Sequence, residues 1–290
     1  MKKTLWRSDA VPHQDTEWTA TSFANNHAIV HLATHLGGPR SRYSNNQDVV
    51  FLIAQEEKLR FGIADGAGST SSGQRAAAIY ADMACDHDLS LAKTFFQADQ
   101  QIRLETRTDG VFDSNTSGYG AALCCEWVTP DRIRIGTWGD CRALLVRAGN
   151  IVNKKMTAPQ NALFADYQAG KTTLADYYRA EGPSYLTGGI GLGDLENIEE
   201  PNIYELSVNP GDLLIIGSDG LWDVVTDFEV LNLTSSVTDA SILTEMLCTL
   251  AFQKNNATES IKLELDQTNT VSFLPDGGDN ISIGVVTFLA

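Results

Sequence analysis

The 290-residue sequence lacks several features that would assign it to a specialised class. No apolar run is long enough to span a bilayer, which argues against an integral membrane protein. The two lysines near the start are followed by no apolar segment, so no secretory signal is predicted and we expect a cytoplasmic protein. The five cysteines show no CxxC spacing, which favours reduced, mostly buried thiols over disulfides or a zinc site.

Positive charge is also scarce. The chain has 21 Lys and Arg against 37 Asp and Glu, for a net charge of −16. Nucleic acids and anionic membranes are polyanions, so we expect neither as a partner. Solubility is the simplest interpretation of this charge, whereas a concentrated patch of carboxylates would require a cation.

Predicted strands and helices occur in separate blocks. Two strands around residues 28–55 and a third ending at Asp65 precede a helical stretch over 71–107, with Ser71 or Ser72 as its N-cap and a break near 86–90. Residues 118–152 alternate apolar and polar positions and predict a β meander. A β-hairpin is predicted around residues 210–212.

Helices over 227–256 and a final strand complete this pattern, which predicts an α+β fold of antiparallel sheets with helices packed against them. We divide the chain into a polar surface extension, residues 1–25, and one domain, residues 26–290. The segment over about 158–183 is neither clean strand nor long helix and is interpreted as an insertion on the surface.

Four aspartates stand at predicted strand ends beside small residues. Asp65 and Asp219 each follow an apolar strand and precede glycine, Asp140 lies between two strands, and Asp279 precedes the last strand. Asp-Gly is also a common turn signal, so turn formation is the competing explanation for any one site. Asp223, four residues after Asp219, is not explained by a simple hairpin.

Aspartates that converge from strand ends repel one another, and a divalent cation relieves that repulsion. Carboxylate and carbonyl oxygens, with no Cys or His at metal-ligand spacing, suit Mg²⁺ or Mn²⁺ better than Zn²⁺. His27, His31 and His35 recur every four residues, but on a strand this spacing places them on one face without the pattern of a zinc protease. The sequence therefore predicts a site for hard divalent ions.

Five motifs together resemble the metal-dependent protein serine/threonine phosphatases of type 2C, the PPM family, and its bacterial-type members in particular. They are "RYSNNQD" (42–48), "IADGAGSTSSG" (63–73), "WGDCRALLVRAG" (138–149), "SDGLWD" (218–223) and "GGDNIS" (277–282). The resemblance implies a four-layer α-β-β-α sandwich, with two central antiparallel sheets flanked by helices. It also implies that the 158–183 insertion is the flap beside the active site.

The resemblance further implies a mechanism in which a metal-bridging water attacks phosphorus and no phosphoenzyme forms. Two Mg²⁺ or Mn²⁺ ions, and a third, weaker one, are the implied cofactors. The implied ligands and supporting residues are Asp65 as the bridge, the Gly66 carbonyl, Asp219, Asp279 with Asn280 behind it, Asp48 through bound water, and Asp140 for the third ion. Asp65 and Asp219 are thus catalytic as well as metal-binding candidates.

The sequence departs from the family pattern at Tyr43 and Ala67, and "TSGYGAALCC" (116–125) lacks the threonine-rich version of its motif. Where the family places an arginine that binds the substrate phosphate, this chain has Tyr43, and Arg42 lies one residue farther from Asp48. Arg42 is our catalytic candidate for that role, with Arg40 as the alternative, because a guanidinium binds phosphate bidentately. Ala67 replaces a histidine that many eukaryotic members use, so water would protonate the leaving group.

The implied substrates are phosphoserine and phosphothreonine proteins, and a cognate serine/threonine kinase is an implied partner. Two alternatives stay open. The chain could be a catalytically weak or inactive phosphatase fold that acts as a regulatory or binding module, or a metal-dependent hydrolase of small phosphate esters. Metal-dependent turnover separates the first alternative from the phosphatase, and kinetics on peptides against small esters separate the second.

Overall fold

The computed structural model describes residues 3–10, 17–41, 43–55, 58–152, 158–179, 185–193, 198–275 and 278–290. Two six-stranded antiparallel sheets form its centre. In spatial order, the first sheet contains β1 (Thr4–Arg7), β4 (Asp48–Gln55), β5 (Lys58–Gly68), β6 (Gly118–Thr129), β7 (Arg132–Trp138) and β10 (Asn202–Ser207). The second contains β2 (Thr19–Ala24), β3 (Ala28–His35), β14 (Ile281–Phe288), β11 (Leu213–Gly217), β8 (Arg142–Arg147) and β9 (Asn150–Ile151).

Helices cover the outer face of each sheet. Those described are α1 (Thr70–Ala84), α2 (Leu91–Thr106), α3 (Ala162–Gln168), α4 (Leu174–Arg179), α5 (Asp219–Trp222), α6 (Asp227–Thr234) and α7 (Ala240–Asn255). A separate hairpin consists of β12 (Ile261–Glu264) and β13 (Thr270–Phe273). The predicted four-layer α-β-β-α sandwich is confirmed.

The apolar sequence of β4 shows why four layers form. Val50 and Leu52 point into the core between the two sheets, whereas Val49, Phe51 and Ile53 point into the core beneath α1 and α2. A strand that is buried on both faces reads as a continuous apolar run, since neither face meets water. The corresponding core under α7 is formed from the outer faces of β11 and β14.

Three expectations need correction. The predicted hairpin around residues 210–212 is wrong, because β10 pairs with β7 in the first sheet while β11 pairs with β8 and β14 in the second. The predicted β meander over residues 118–152 is also wrong as a single meander, because β6 and β7 belong to the first sheet and β8 and β9 to the second. The helix after Asp65 is capped by Ser69, whose Oγ accepts a hydrogen bond from the Ser72 N–H, and not by Ser71 or Ser72.

The described part of the N-terminal segment is also more than a surface extension. β1 pairs with β4 and β2 pairs with β3, so residues 4–7 and 19–24 supply one edge strand to each sheet. The boundary at residue 26 stays a prediction. No described helix has the length and apolarity needed to cross a membrane.

Candidate metal centre

The first sheet brings two acidic residues together at one edge of the sandwich. Asp48 begins β4 and is the register partner of Asp65, near the end of β5. Paired residues of an antiparallel ladder point to the same face. Because Val50 and Ile63, two positions away on each strand, belong to the core between the sheets, both carboxylates lie on the inner face. Both therefore face the second sheet.

The second sheet contributes Asp219 and Asp279 at the same edge. Asp219 follows β11 after one residue, and Asp279 precedes β14 by one residue. Asp140 lies where the chain passes from β7 in one sheet to β8 in the other. Asp48 is almost completely buried, at 2% exposed, and the other four side chains are partly exposed. The acids therefore line a cleft that solvent can enter.

Hydroxyl and amide groups hold this edge in place. The Ser218 Oγ donates a hydrogen bond to Oδ2 of Asp48 at 3.0 Å and accepts one from the Ser282 N–H at 3.1 Å. The Asn280 Oδ1 accepts from the Gln47 N–H at 2.7 Å. The Ser218–Asp48 and Gln47–Asn280 bonds join the two sheets directly at the acidic residues, so the two halves of the site are fixed relative to each other.

Asn280 supports the site differently from what the sequence implied. Its Nδ2 donates to the Leu36 carbonyl at 2.9 Å, and its side chain thus connects the β3 and β4 sides of the cleft. Its backbone N–H, and not its side chain, donates to Oδ1 of Asp279 at 2.7 Å. Asn280 therefore orients Asp279 through the main chain.

The Asp-Gly pairs at Asp65 and Asp219 are not turns. Gly66 lies inside β5, and neither Gly66 nor Gly220 has a positive φ. A Cβ on Gly66 would lie 2.1 Å from the Gly73 carbonyl oxygen, and one on Gly220 would lie 2.0 Å from that of Asn280. Close backbone approach therefore explains both glycines, and the turn explanation fails at these two sites.

The carboxyl groups share one electrostatic environment. Burial raises the pKa of Asp65 well above its usual range, and the charges of Asp219, Asp48, Asp279 and Asp140 raise it further. Burial also raises the pKa of Asp48 to about 7, although hydrogen bonds from Ser282 and Ser218 oppose this rise. The pKa of Asp219 rises to about 7, through burial and then the charges of Asp140 and Asp48.

Asp140 belongs to the same group but has its own partner. Burial raises its pKa to about 6, and a hydrogen bond from the Asn161 side chain lowers it. Like charges held this closely favour either shared protons or a bound cation. Among the described residues, no three His, Cys, Asp or Glu side chains stand at metal-ligand spacing. The case for a hard cation at this site therefore rests on the oxygen donors of the aspartates and on the repulsion among their negative charges.

Of the two arginine candidates for phosphate binding, only Arg40 lies among the described residues. Arg42 lies outside the described residues. The guanidinium of Arg40 donates to the carbonyl oxygens of Ala257 and Pro275. Arg40 therefore joins the chain after α7 to the segment before Asp279, and its donors are engaged in that structural role.

Sequence reasoning missed two supporting residues. Ser218 contacts Asp48, and the signal for it was a polar residue directly after the fully buried strand "LLIIG". Arg142 is 8% exposed, pairs with Oδ1 of Asp227 at 2.9 Å and lies 5.0 Å from the ring centroid of Trp222. It thereby fixes the helix that follows Asp219, and its position two residues after Asp140 was the available signal.

The sandwich with acids at its edge is the arrangement that the family resemblance predicts, and comparison with known proteins tests that prediction. The family model described as "Protein phosphatase 2C" matches residues 39–265. The chain belongs to this family. "Probable protein phosphatase 2C 45" of Oryza sativa subsp. japonica is 26% identical over 210 residues, which cover 68% of this chain and 72% of the relative. "Probable protein phosphatase 2C 76" of Arabidopsis thaliana is 25% identical over 239 residues, which cover 76% of this chain and only 54% of the relative.

Solved structures agree with the fold. The S. agalactiae serine/threonine phosphatase superimposes with a TM-score of 0.65 at 18% identity, covering 93% of this chain and 99% of that one. The catalytic domain of the phosphatase PstP gives 0.63 at 18% identity, with 91% and 99% covered, and contains two manganese ions. RsbX, at 0.57 and 12% identity with 93% and 100% covered, contains magnesium. The predicted family and fold are confirmed, and relatives of this fold bind Mn²⁺ or Mg²⁺.

Proposed function

We propose that this chain is a metal-dependent protein phosphatase that hydrolyses phosphoserine and phosphothreonine esters. One observation carries the proposal: five aspartates from both sheets lie at one edge of a phosphatase 2C sandwich, where burial and then the charges of the other four raise the pKa of Asp65. The names of the relatives and solved neighbours, protein phosphatases and serine/threonine phosphatases, support the same enzyme class.

The donors suit two Mg²⁺ or Mn²⁺ ions. Asp65 and the Gly66 carbonyl would hold one ion, Asp65 would bridge to the second, and Asp219 and Asp279 would complete the second. Asp140 would hold a third, weaker ion. Bound there, the ions would neutralise phosphate charge and lower the pKa of an attacking water.

The other residues of the site would position the reactants. Asp48, fixed by Ser218, would accept a hydrogen bond from water in the cleft, and Arg42 would bind the phosphate oxygens. Ala67 has no proton to give, so water would protonate the leaving oxygen.

Direct attack by water is favoured over a covalent phosphocysteine. Cys141 is adjacent to Asp140 but is only 2% exposed. Burial, and then the charges of Asp65 and Asp140, raise the pKa of its thiol well above the usual range. A thiol that stays protonated is a poor nucleophile. We therefore propose hydrolysis without a phosphoenzyme.

The cellular setting is part of the proposal. All five cysteines are free and buried, which fits a reducing compartment and supports a cytoplasmic location. A phosphorylated protein as substrate implies a serine/threonine kinase that acts on the same protein. The negative net charge disfavours a nucleic-acid substrate.

The test is hydrolysis of a phosphothreonine peptide and of p-nitrophenyl phosphate during titration with Mn²⁺ and Mg²⁺. We expect turnover that needs metal, stops with chelator and is lost in Asp219→Ala. Preference for the peptide would support a protein substrate, whereas preference for the small ester would support the small-ester hydrolase. A folded wild type that binds Mn²⁺ without turnover would instead support the regulatory module.

A further inference from the structure

The hairpin β12–β13 stands apart from the sandwich. It forms a two-stranded sheet of its own, located in the chain between α7 and Asp279. An isolated two-stranded hairpin is marginally stable in water, so its apolar face needs a covering element. The structure shows which element provides that cover.

Helix α4, in the segment that the family resemblance assigns to the flap, covers the hairpin. Tyr178 of α4 forms a small hydrophobic cluster with Leu263 and Val271 of the hairpin, and these three side chains are 8%, 0% and 1% exposed. α4 has six residues, too few for a stable isolated helix. The hairpin and α4 therefore stabilise each other, separately from the three cores of the sandwich.

The hairpin is in turn attached to the main fold. The Thr226 hydroxyl donates to the carbonyl oxygen of Glu264, and Thr226 is also the N-cap of α6. Phe273 packs against both the hairpin cluster and the core beneath α7. The hairpin thus connects α4 to the helical layer that follows Asp219.

The other end of this segment is attached beside Asp140. The Gln160 N–H donates to the carbonyl oxygen of Gly139, the residue before Asp140, and the Gly139 N–H donates to Oε1 of Gln160, both at 2.9 Å. Asn161 then caps α3 by accepting from the Phe164 N–H at 2.9 Å. Phe164 contacts Tyr177 of α4, with ring centroids 5.6 Å apart.

We propose that the β12–β13 hairpin is the anchor that positions the helix pair α3–α4 beside the acidic cleft, and that this pair selects phosphorylated protein substrates. The inference rests on the proposed phosphatase function. A phosphopeptide extends beyond its phosphate and must contact the walls of the cleft, whereas a small ester needs little more than the phosphate-binding groups. Loss of the anchor therefore weakens peptide binding selectively, and Leu263, Val271 and Tyr178 act as positioning residues.

The test variant is Leu263→Ala, with Leu263→Met as the conservative rescue. Leu274→Ala is the matched control, since Leu274 follows the hairpin and is 53% exposed. We expect kcat/KM for the phosphothreonine peptide to fall about tenfold, mainly through KM, because small displacements at a binding wall are costly. The kcat for p-nitrophenyl phosphate stays within about twofold of wild type.

Hydrogen exchange provides a readout that does not depend on activity. We expect faster exchange over residues 162–179 in Leu263→Ala, with unchanged exchange in β5 and β11, and wild-type behaviour in the Met and control variants. If Leu263→Ala fails to fold, Val271→Thr makes the same test with nearly unchanged volume.

Two results would contradict the proposal that the β12–β13 hairpin anchors α3 and α4. One is unchanged exchange over residues 162–179, and the other is an equal loss of activity on both substrates. An inactive wild type refutes the phosphatase proposal and the substrate selection with it, and the exchange data still decide whether the hairpin holds the flap.

Discussion

Asp48 and Asp65 are register partners in the antiparallel β4–β5 ladder, with both carboxylates on the face toward the second sheet. Like charges directly opposite each other destabilise such a ladder. The charges of Asp219 and Asp279 from the second sheet add to this repulsion at Asp65. The fold therefore brings together charges that a divalent cation would neutralise.

Removal of one central charge should stabilise the metal-free protein. In Asp65→Asn the shape is kept while the repulsion falls, so we expect Tm in chelator to rise by about 2–4 °C, the shift that about 1 kcal/mol gives at this chain length. The same variant should lose the stabilisation that Mn²⁺ gives to wild type. Thermal melts with chelator and with Mn²⁺ measure both effects.

Asp88→Asn is the matched control, because Asp88 is exposed and lies outside the cleft. It should melt like wild type under both conditions. A lower Tm for Asp65→Asn in chelator would mean that the Asp65 carboxyl contributes more through hydrogen bonds than it costs through repulsion.

Metal-free stability should fall as the pH rises. The pKa values of Asp48 and Asp219 are raised to about 7 and that of Asp140 to about 6, whereas unfolded carboxyls titrate near 4. Between these values the folded state binds more protons, so the free energy of unfolding decreases by up to about 1.4 kcal/mol per pH unit for each such group.

Urea unfolding in chelator between pH 5 and 8 measures this slope. Saturating Mn²⁺ should reduce or reverse it, because metal binding requires the deprotonated carboxylates. A metal-free stability that increases from pH 5 to pH 8 would show that these carboxylates are stabilised, not destabilised, by their surroundings.

Ser218→Ala should weaken the link between the sheets. The change leaves Oδ2 of Asp48 without the Ser218 donor and the Ser282 N–H without its acceptor, at a cost of about 1–3 kcal/mol of unfolding free energy. We also expect Mn²⁺ affinity to fall about tenfold, since residues behind a metal ligand orient it. Calorimetry and urea unfolding report these two effects, and exposed Ser236 provides the control Ser236→Ala. An unchanged Mn²⁺ affinity in Ser218→Ala would show that Ser218 does not support the metal centre.

Substitution of Arg40 and substitution of Arg42 should have different effects on stability and on kinetics. Arg40→Ala should lower Tm with little change in KM, because its guanidinium binds the carbonyls of Ala257 and Pro275. Arg42→Ala should reduce kcat/KM by about tenfold to a hundredfold, the value of charged hydrogen bonds to phosphate. Steady-state kinetics and melts on both variants check this, and the reverse pattern would make Arg40 the phosphate ligand.

The sequence predicted antiparallel sheets with helices packed against them because local patterns determine these elements, whereas the four layers were implied by the family resemblance. The apolar run of β4 and the break between α1 and α2 are visible in the residues themselves. The connection over residues 208–212 was misread because its length and turn residues suit either a hairpin or a passage between sheets. Only the pairing of β10 with β7 and of β11 with β14 distinguishes them, and those partners are distant in the chain.

Asp65 and Asp219 could be singled out from the sequence because aspartate is unusual directly after a buried strand, whereas Asp48 was named only through the family resemblance. The supporting residues could not be predicted, because Ser218, Asn161 and Thr226 are ordinary capping or linking residues until the tertiary fold supplies a partner. The hairpin β12–β13 was missed for a related reason: its strands have four residues each, and the helix that buries them lies about 85 residues earlier.

The most direct test of the metal centre is calorimetric titration of the metal-free protein with Mn²⁺. We expect at least two ions per chain in wild type, and loss of tight binding in Asp65→Asn and in Asp279→Asn, one acid from each side of the cleft. Binding that is unaffected by both substitutions, or no binding in the folded wild type, would contradict a metal centre built from these aspartates.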